Sequence, residues 1–130
     1  MVKVIIAFRG DVVERQELLN GTESVTVEGA SEDGMWRVVA TVSWNLGLVD
    51  MSGEGDFEIA GDGGEVYGTL VDAKAEAGAG EERAEWAVHA RFDVDGGAGR
   101  FESAAGTAAM RMQLRGTEAE GEAELNLEVT

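Results

Sequence analysis

The 130-residue sequence contains no cysteine and no proline. Without cysteine, disulfides and thiolate metal sites are excluded. The absence of proline beside many glycines suits closely spaced strands, tight turns and bends. Positive charge is scarce as well: 10 Lys and Arg stand against 26 Asp and Glu, a net charge of −16. Such a field repels phosphate backbones, so no nucleic-acid partner is expected. It equally disfavours anionic membrane surfaces, and no run approaches the ~20 apolar residues of a membrane helix. The apolar start, Met1–Gly10, is interrupted by Arg9, with Asp11 following. It is too short for the roughly 7–15-residue apolar core of a secretory signal. The expectation is one soluble, cytoplasmic domain spanning residues 1–130, with an acidic solvated surface.

What the chain does have is glycine, 19 residues of it, and a period of two. Trp36, Val38, Ala40, Val42, Trp44, Leu46 and Leu48 alternate with Arg37, Val39, Thr41, Ser43 and Asn45. Ala84–Val94 and Ala108–Leu114 repeat the pattern. In the last segment Glu118, Glu120, Glu122, Glu124 and Glu128 alternate with Ala119, Gly121, Ala123, Leu125, Leu127 and Val129. Each reads as a half-buried strand with one apolar face. Val2–Phe8, Glu23–Glu28, Gly53–Ile59 and Val66–Ala73 add weaker strands. Asp11–Asn20 is ambiguous, because Glu14–Leu18 favours helix and Asn20-Gly21 would end one.

Turn signals stand at Asn20-Gly21, Asp33-Gly34, Asp62-Gly63-Gly64, Ala77–Gly80, Asp95-Gly96-Gly97 and Arg115-Gly116. About eight strands with one apolar face each must close or stack. Closure removes exposed edges, and Gly-rich bends suit barrel corners. The expected fold is therefore all-β, a single antiparallel β-barrel.

The segment Gly96-Gly97-Ala98-Gly99-Arg100-Phe101-Glu102-Ser103-Ala104-Ala105-Gly106 precedes Met110-Arg111-Met112. It resembles the turn and strand of allene-oxide-cyclase-like and dirigent-like barrels, a calycin-type architecture. With Gly55-Asp56-Phe57-Glu58-Ile59 and Asp62-Gly63-Gly64, it is most similar to spirotetronate-cyclase-type Diels–Alderases. The resemblance covers roughly Gly53–Leu114. It implies an eight-stranded barrel with a capped apolar cavity, and catalysis by folding a polyene of polyketide type into a reactive shape. Met110 falls where those cyclases often carry a bulky wall residue such as Trp.

Chemistry-bearing motifs are few. The single His89 falls on a polar strand face, so no triad is assembled around it. Asp93-Val94-Asp95-Gly96 lacks the spaced ligands of a calcium loop. Arg9-Gly10-Asp11 and the sequon Asn20-Gly21-Thr22 have no secretory context. No metal and no cofactor is expected.

The candidate substrate-binding residues are Trp36, Trp44, Phe57, Trp86, Phe92, Met110 and Met112, all on apolar faces. Either they fill the core, or they line a cavity opposite small residues such as Ala40, Gly68, Ala90, Ala108, Gly121 and Ala123. A cavity is expected between the strands of Trp36–Trp44, Ala84–Phe92 and Ala108–Leu114. Asn45, Tyr67 and Glu102, near strand ends, are candidate polar orienters.

The expected activity is a cofactor-independent cyclase or isomerase acting on a polyene-type substrate. A non-catalytic carrier for a small apolar metabolite and a packed barrel that binds protein through its surface are the alternatives. A homodimer is compatible with either.

Overall fold

The computed structural model describes residues 2–17, 22–45, 55–61, 63–77 and 85–128. They form eight strands: β1 (Val2–Glu17), β2 (Thr22–Ser31), β3 (Trp36–Asn45), β4 (Asp56–Gly61), β5 (Gly64–Ala77), β6 (Glu85–Gly99), β7 (Ala105–Arg115) and β8 (Glu118–Glu128). Each strand pairs antiparallel with its neighbour in sequence, and β8 returns to β1 to close the barrel. The closing ladder runs from Val2 opposite Leu127 to Asp11 opposite Glu118. Closure gives every strand two partner strands.

The alternation decides which side chains enter. Val38, Ala40 and Val42 of β3, Val88, Ala90 and Phe92 of β6, and Ala123, Leu125 and Leu127 of β8 are all buried in one core. Their neighbours in sequence face outward, as a pleated strand requires.

Three irregularities bend the sheet. Register shifts fall between Val12 and Glu14, between Tyr67 and Gly68, and between Leu70 and Asp72. Val13 and Val71 are the extra residues at two of these bulges, and both are exposed. A bulge moves the inward row by one residue. The row on β5 thus runs Val66, Gly68, Leu70 and then Ala73.

Two expectations are corrected. Asp11–Asn20 is not a helix where it is described: Asp11–Glu17 continues β1, and residues 18–20 lie outside the described residues. The Val12 amide donates to the Thr117 carbonyl at 2.8 Å, and Glu14–Glu17 pairs with β2. Such a ladder outweighs helix propensities of a few tenths of a kcal/mol per residue. Asp95-Gly96-Gly97 is not a turn either but lies within β6. The chain reverses at Gly99, where φ is +60°. Gly97 is needed for close approach instead, since a Cβ there would stand 2.3 Å from the Phe101 carbonyl oxygen.

The two ends of the barrel differ. One carries the short reversals between β2 and β3, β4 and β5, and β6 and β7. The other carries the β7–β8 turn at Gly116; residues 18–21, 46–54 and 78–84 lie outside the described residues.

Candidate binding interior

At the short-turn end, the β6–β7 reversal folds inward on itself. Phe101 and Glu102 donate their amides to the carbonyls of Ala98 and Gly99, and Ala104 donates to Phe101. Arg100 donates to Gly63, tying this turn to the β4–β5 reversal. The result drives Phe101 into the barrel, where it is buried. Its ring lies 6.2 Å from that of Trp36, and together they plug this end. Gly64 makes room, because a Cβ there would meet the Phe101 ring at 2.6 Å. The sequence reading missed Phe101 as a wall residue. Its signal was an aromatic residue set in a Gly-rich turn with no alternating neighbours.

Above the plug, Phe57 of β4 and Phe92 of β6 meet edge to face with centroids 5.0 Å apart. Gly68, opposite Phe57 on β5, leaves the space this contact uses; a Cβ there would stand 2.6 Å from the Phe57 ring.

The walls divide by chemistry. Across β2, β3 and β4 the inward residues include Val25, Val27, Val38, Val42 and Ile59, all β-branched and stiff at χ1. Across β5 to β8 one register row reads Ala73, Ala90, Met110 and Ala123. The next reads Val88, Met112 and Gly121 and ends on Phe8 of β1. Met110 is therefore flanked by two alanines and Met112 by Val88 and Gly121, and their unbranched chains are the adaptable part of the wall.

The side chains expected to line a cavity pack against one another here. Phe57, Phe92, Met110 and Met112 are 1–3% exposed, leaving no water-sized gap against them. Large residues fill what the small ones leave, as in a tapering barrel. Trp36 and Trp86 are half-buried at opposite ends and pack against the core. Trp44 and Asn45 pair with Glu23 and Thr22 in the ladder, and their side chains lie outside the described residues.

The structure brings the other polar candidates to the outside. Tyr67 is exposed because it alternates with Val66 and Gly68, and its ring covers Gly96. Glu102 is exposed in the turn at the plugged end. His89 faces outward between Val88 and Ala90. The buried polar residue among those described is Ser43, which sits on the outer row of β3. Past the β1 bulge, Arg15 falls opposite the inward Val25 at the rim of the other end and is exposed.

Several carboxylates on the outer wall are shifted from their ordinary values. A hydrogen bond from Arg91, and its charge, hold Asp72 below the usual carboxylate range. Lys3, 3.1 Å from Glu124, does the same there. Glu65 is pushed up by the charge of Glu58 beside it. Asp93 and Asp95 stay on the outer face of β6, and Thr69 donates its hydroxyl to Asp95. Among the described residues, no three His, Cys, Asp or Glu come together in a metal-binding arrangement. Comparison with family models, curated proteins and solved structures gave no match to the chain.

Proposed function

We propose that the barrel takes up a small apolar molecule and acts as a cofactor-independent cyclase on a polyene-type substrate. The observation that carries this is an apolar interior in which stiff β-branched residues predominate on β2, β3 and β4 and two flexible methionines stand on β7. A guest entering from the end opposite Phe101 is accommodated by new rotamers of the flexible Met110 and Met112 chains, because the interior is otherwise packed. The rigid wall then holds the guest against a fixed surface. Folding a linear chain into a near-attack shape lowers the barrier by up to roughly 7–11 kcal/mol through pre-paid entropy. No acid, base or metal is required for that, which suits a wall built from carbon and sulfur. The charged outward row of β8, Glu118 to Glu128, suits water rather than lipid.

The carrier reading is favoured by one observation: the described interior offers no polar side chain to orient a reacting group. Incubating the protein with linear polyenes separates the two. Cyclised product, formed at a rate independent of pH between about 6 and 9, supports the cyclase. Saturable quenching of Trp emission without product supports the carrier. Neither quenching nor product refutes both.

A further inference from the structure

One buried ring of the core comes from outside the ladder. Phe8, Phe57 and Phe92 belong to strands and are fixed by pairing on both sides. Phe101 belongs to the reversal between Gly99, the last residue of β6, and Ala105, the first of β7. Withdrawing it breaks no strand pairing. The bonds from Phe101 and Glu102 to Ala98 and Gly99, and from Ala104 to Phe101, lie within the turn and its base. The Arg100 amide ties the turn to the Gly63 carbonyl at 3.2 Å, the long end of the range for such a bond.

The turn is also strained. Among the described residues, Ser103 is the one non-glycine at positive φ, +65°. At other turns that conformation falls to Gly34, Gly63, Gly99 and Gly116. In a chain with 19 glycines, a serine stands where glycine would be relaxed. Burial of Phe101, two residues away, holds this strain, and straightening the turn relieves it. Gly99 and Gly106, at +60° and +141°, bracket the segment as hinges.

The place that Phe101 fills has the shape of a ring. Trp36, Gly61, Gly64 and Gly99 form one cross-strand row, an aromatic residue followed by three glycines. The Trp36 ring lies against Gly61, where a Cβ would approach it to 2.8 Å. The Phe101 ring lies against Gly64, with its centroid 6.2 Å from that of Trp36. Arg100 stands over the phenyl ring, its Cζ 5.5 Å from the centroid. Trp36 and Gly64 are held in β3 and β5, so this slot persists when the turn leaves it.

We propose that the slot is a binding site for a flat apolar ring, and that Phe101 occupies it as a releasable internal ligand. A guest ring beside Trp36 and over Gly64 replaces the phenyl ring, and the turn swings outward on Gly99 and Gly106. Apparent affinity is then set by the fraction of molecules whose turn is open. The slot is separate from the methionine wall, and its occupation does not depend on the activity proposed above.

The test adds benzene to the full chain and follows the Trp36 indole N–H signal by NMR, identified through its loss in Trp36→Phe. The wild-type protein should show a saturable shift. Ser103 is exposed, so substitutions there leave the slot itself intact. Ser103→Gly relaxes the closed turn and should weaken benzene binding about threefold. Ser103→Val puts a β-branched residue at positive φ and should strengthen binding by a similar factor. Phe101→Ala removes the internal ligand and should bind at least about tenfold more tightly. A saturable shift in Phe101→Ala with none in the wild-type protein overturns the proposal, because Phe101 is then a fixed part of the core. So does equal affinity in Ser103→Gly and Ser103→Val. If Phe101→Ala does not fold, the wild-type protein and the Ser103 pair decide.

Discussion

Met110→Ala isolates the adaptable wall. Met110 is 1% exposed and lies in register between Ala90 and Ala123. Truncation removes three heavy atoms. Its two alanine neighbours have no rotamers with which to fill the gap, so the site collapses poorly. Buried Met→Ala changes cost about 2–5 kcal/mol, and poor collapse places this one at about 3–5 kcal/mol. With an unfolding entropy of ~2.1 cal/mol/K per residue, the chain of 130 residues loses about 11–18 °C in Tm. A typical domain stability of about 5–15 kcal/mol leaves the variant folded. Guanidinium unfolding followed by Trp emission, with calorimetry, measures the loss. The cavity left behind is apolar and too small for a benzene-sized guest, so it should stay dry. A loss below about 1 kcal/mol would refute the reasoning, because it would show that the wall around Met110 is not packed.

Three further outcomes test other parts of the fold. Gly68→Ala places a Cβ 2.0 Å from the Asp93 carbonyl oxygen and against Phe57, so it should cost about 3 kcal/mol or more in denaturant unfolding. Gly34→Ala has open space and only its φ of +75° to oppose it, and should cost about 1–2 kcal/mol; equal losses would contradict the packing argument. Phe101→Ala should lose about 3–5 kcal/mol and shift Trp emission to the red as Trp36 loses its ring partner, an unshifted spectrum being the contrary result. Asp33, Asp72 and Glu124 all bind their protons less tightly when folded, so the stability they contribute is present above the unfolded carboxylate values and is lost as pH falls through their depressed ones. Glu65 acts oppositely: its contribution is present at low pH and is lost as pH rises through its raised value. Unfolding between pH 2 and 6 should therefore show a net acid loss, reduced in Asp72→Asn, and a flat profile would contradict it.

The strands were legible wherever alternation was strict. The four strongest segments correspond to β3, β6, β7 and β8, with ends displaced by a few residues. The reading faltered where a bulge breaks the period. At Val13 and Val71 two consecutive apolar residues defeat a rule of alternation, and only the partner strand shows which one faces inward. The candidate site was legible as a set of inward residues, since Phe57, Phe92, Met110 and Met112 needed only parity to be placed. Tyr67 and Glu102 were misplaced because nearness to a strand end says nothing about face.

By itself, the sequence determined the fold class, the approximate number of strands and the buried face of those whose alternation is unbroken. Period two is a local property, imposed by the pleat wherever one side meets water and the other does not. Only the tertiary structure decided what lies across the barrel from what. That Phe101 turns inward to meet Trp36, that Met110 lies between two alanines, and that Lys74, His89 and Arg111 share one row all depend on register between strands. Register is set by turns, bulges and closure acting together, and a shift of one residue in any ladder would exchange these neighbours for others.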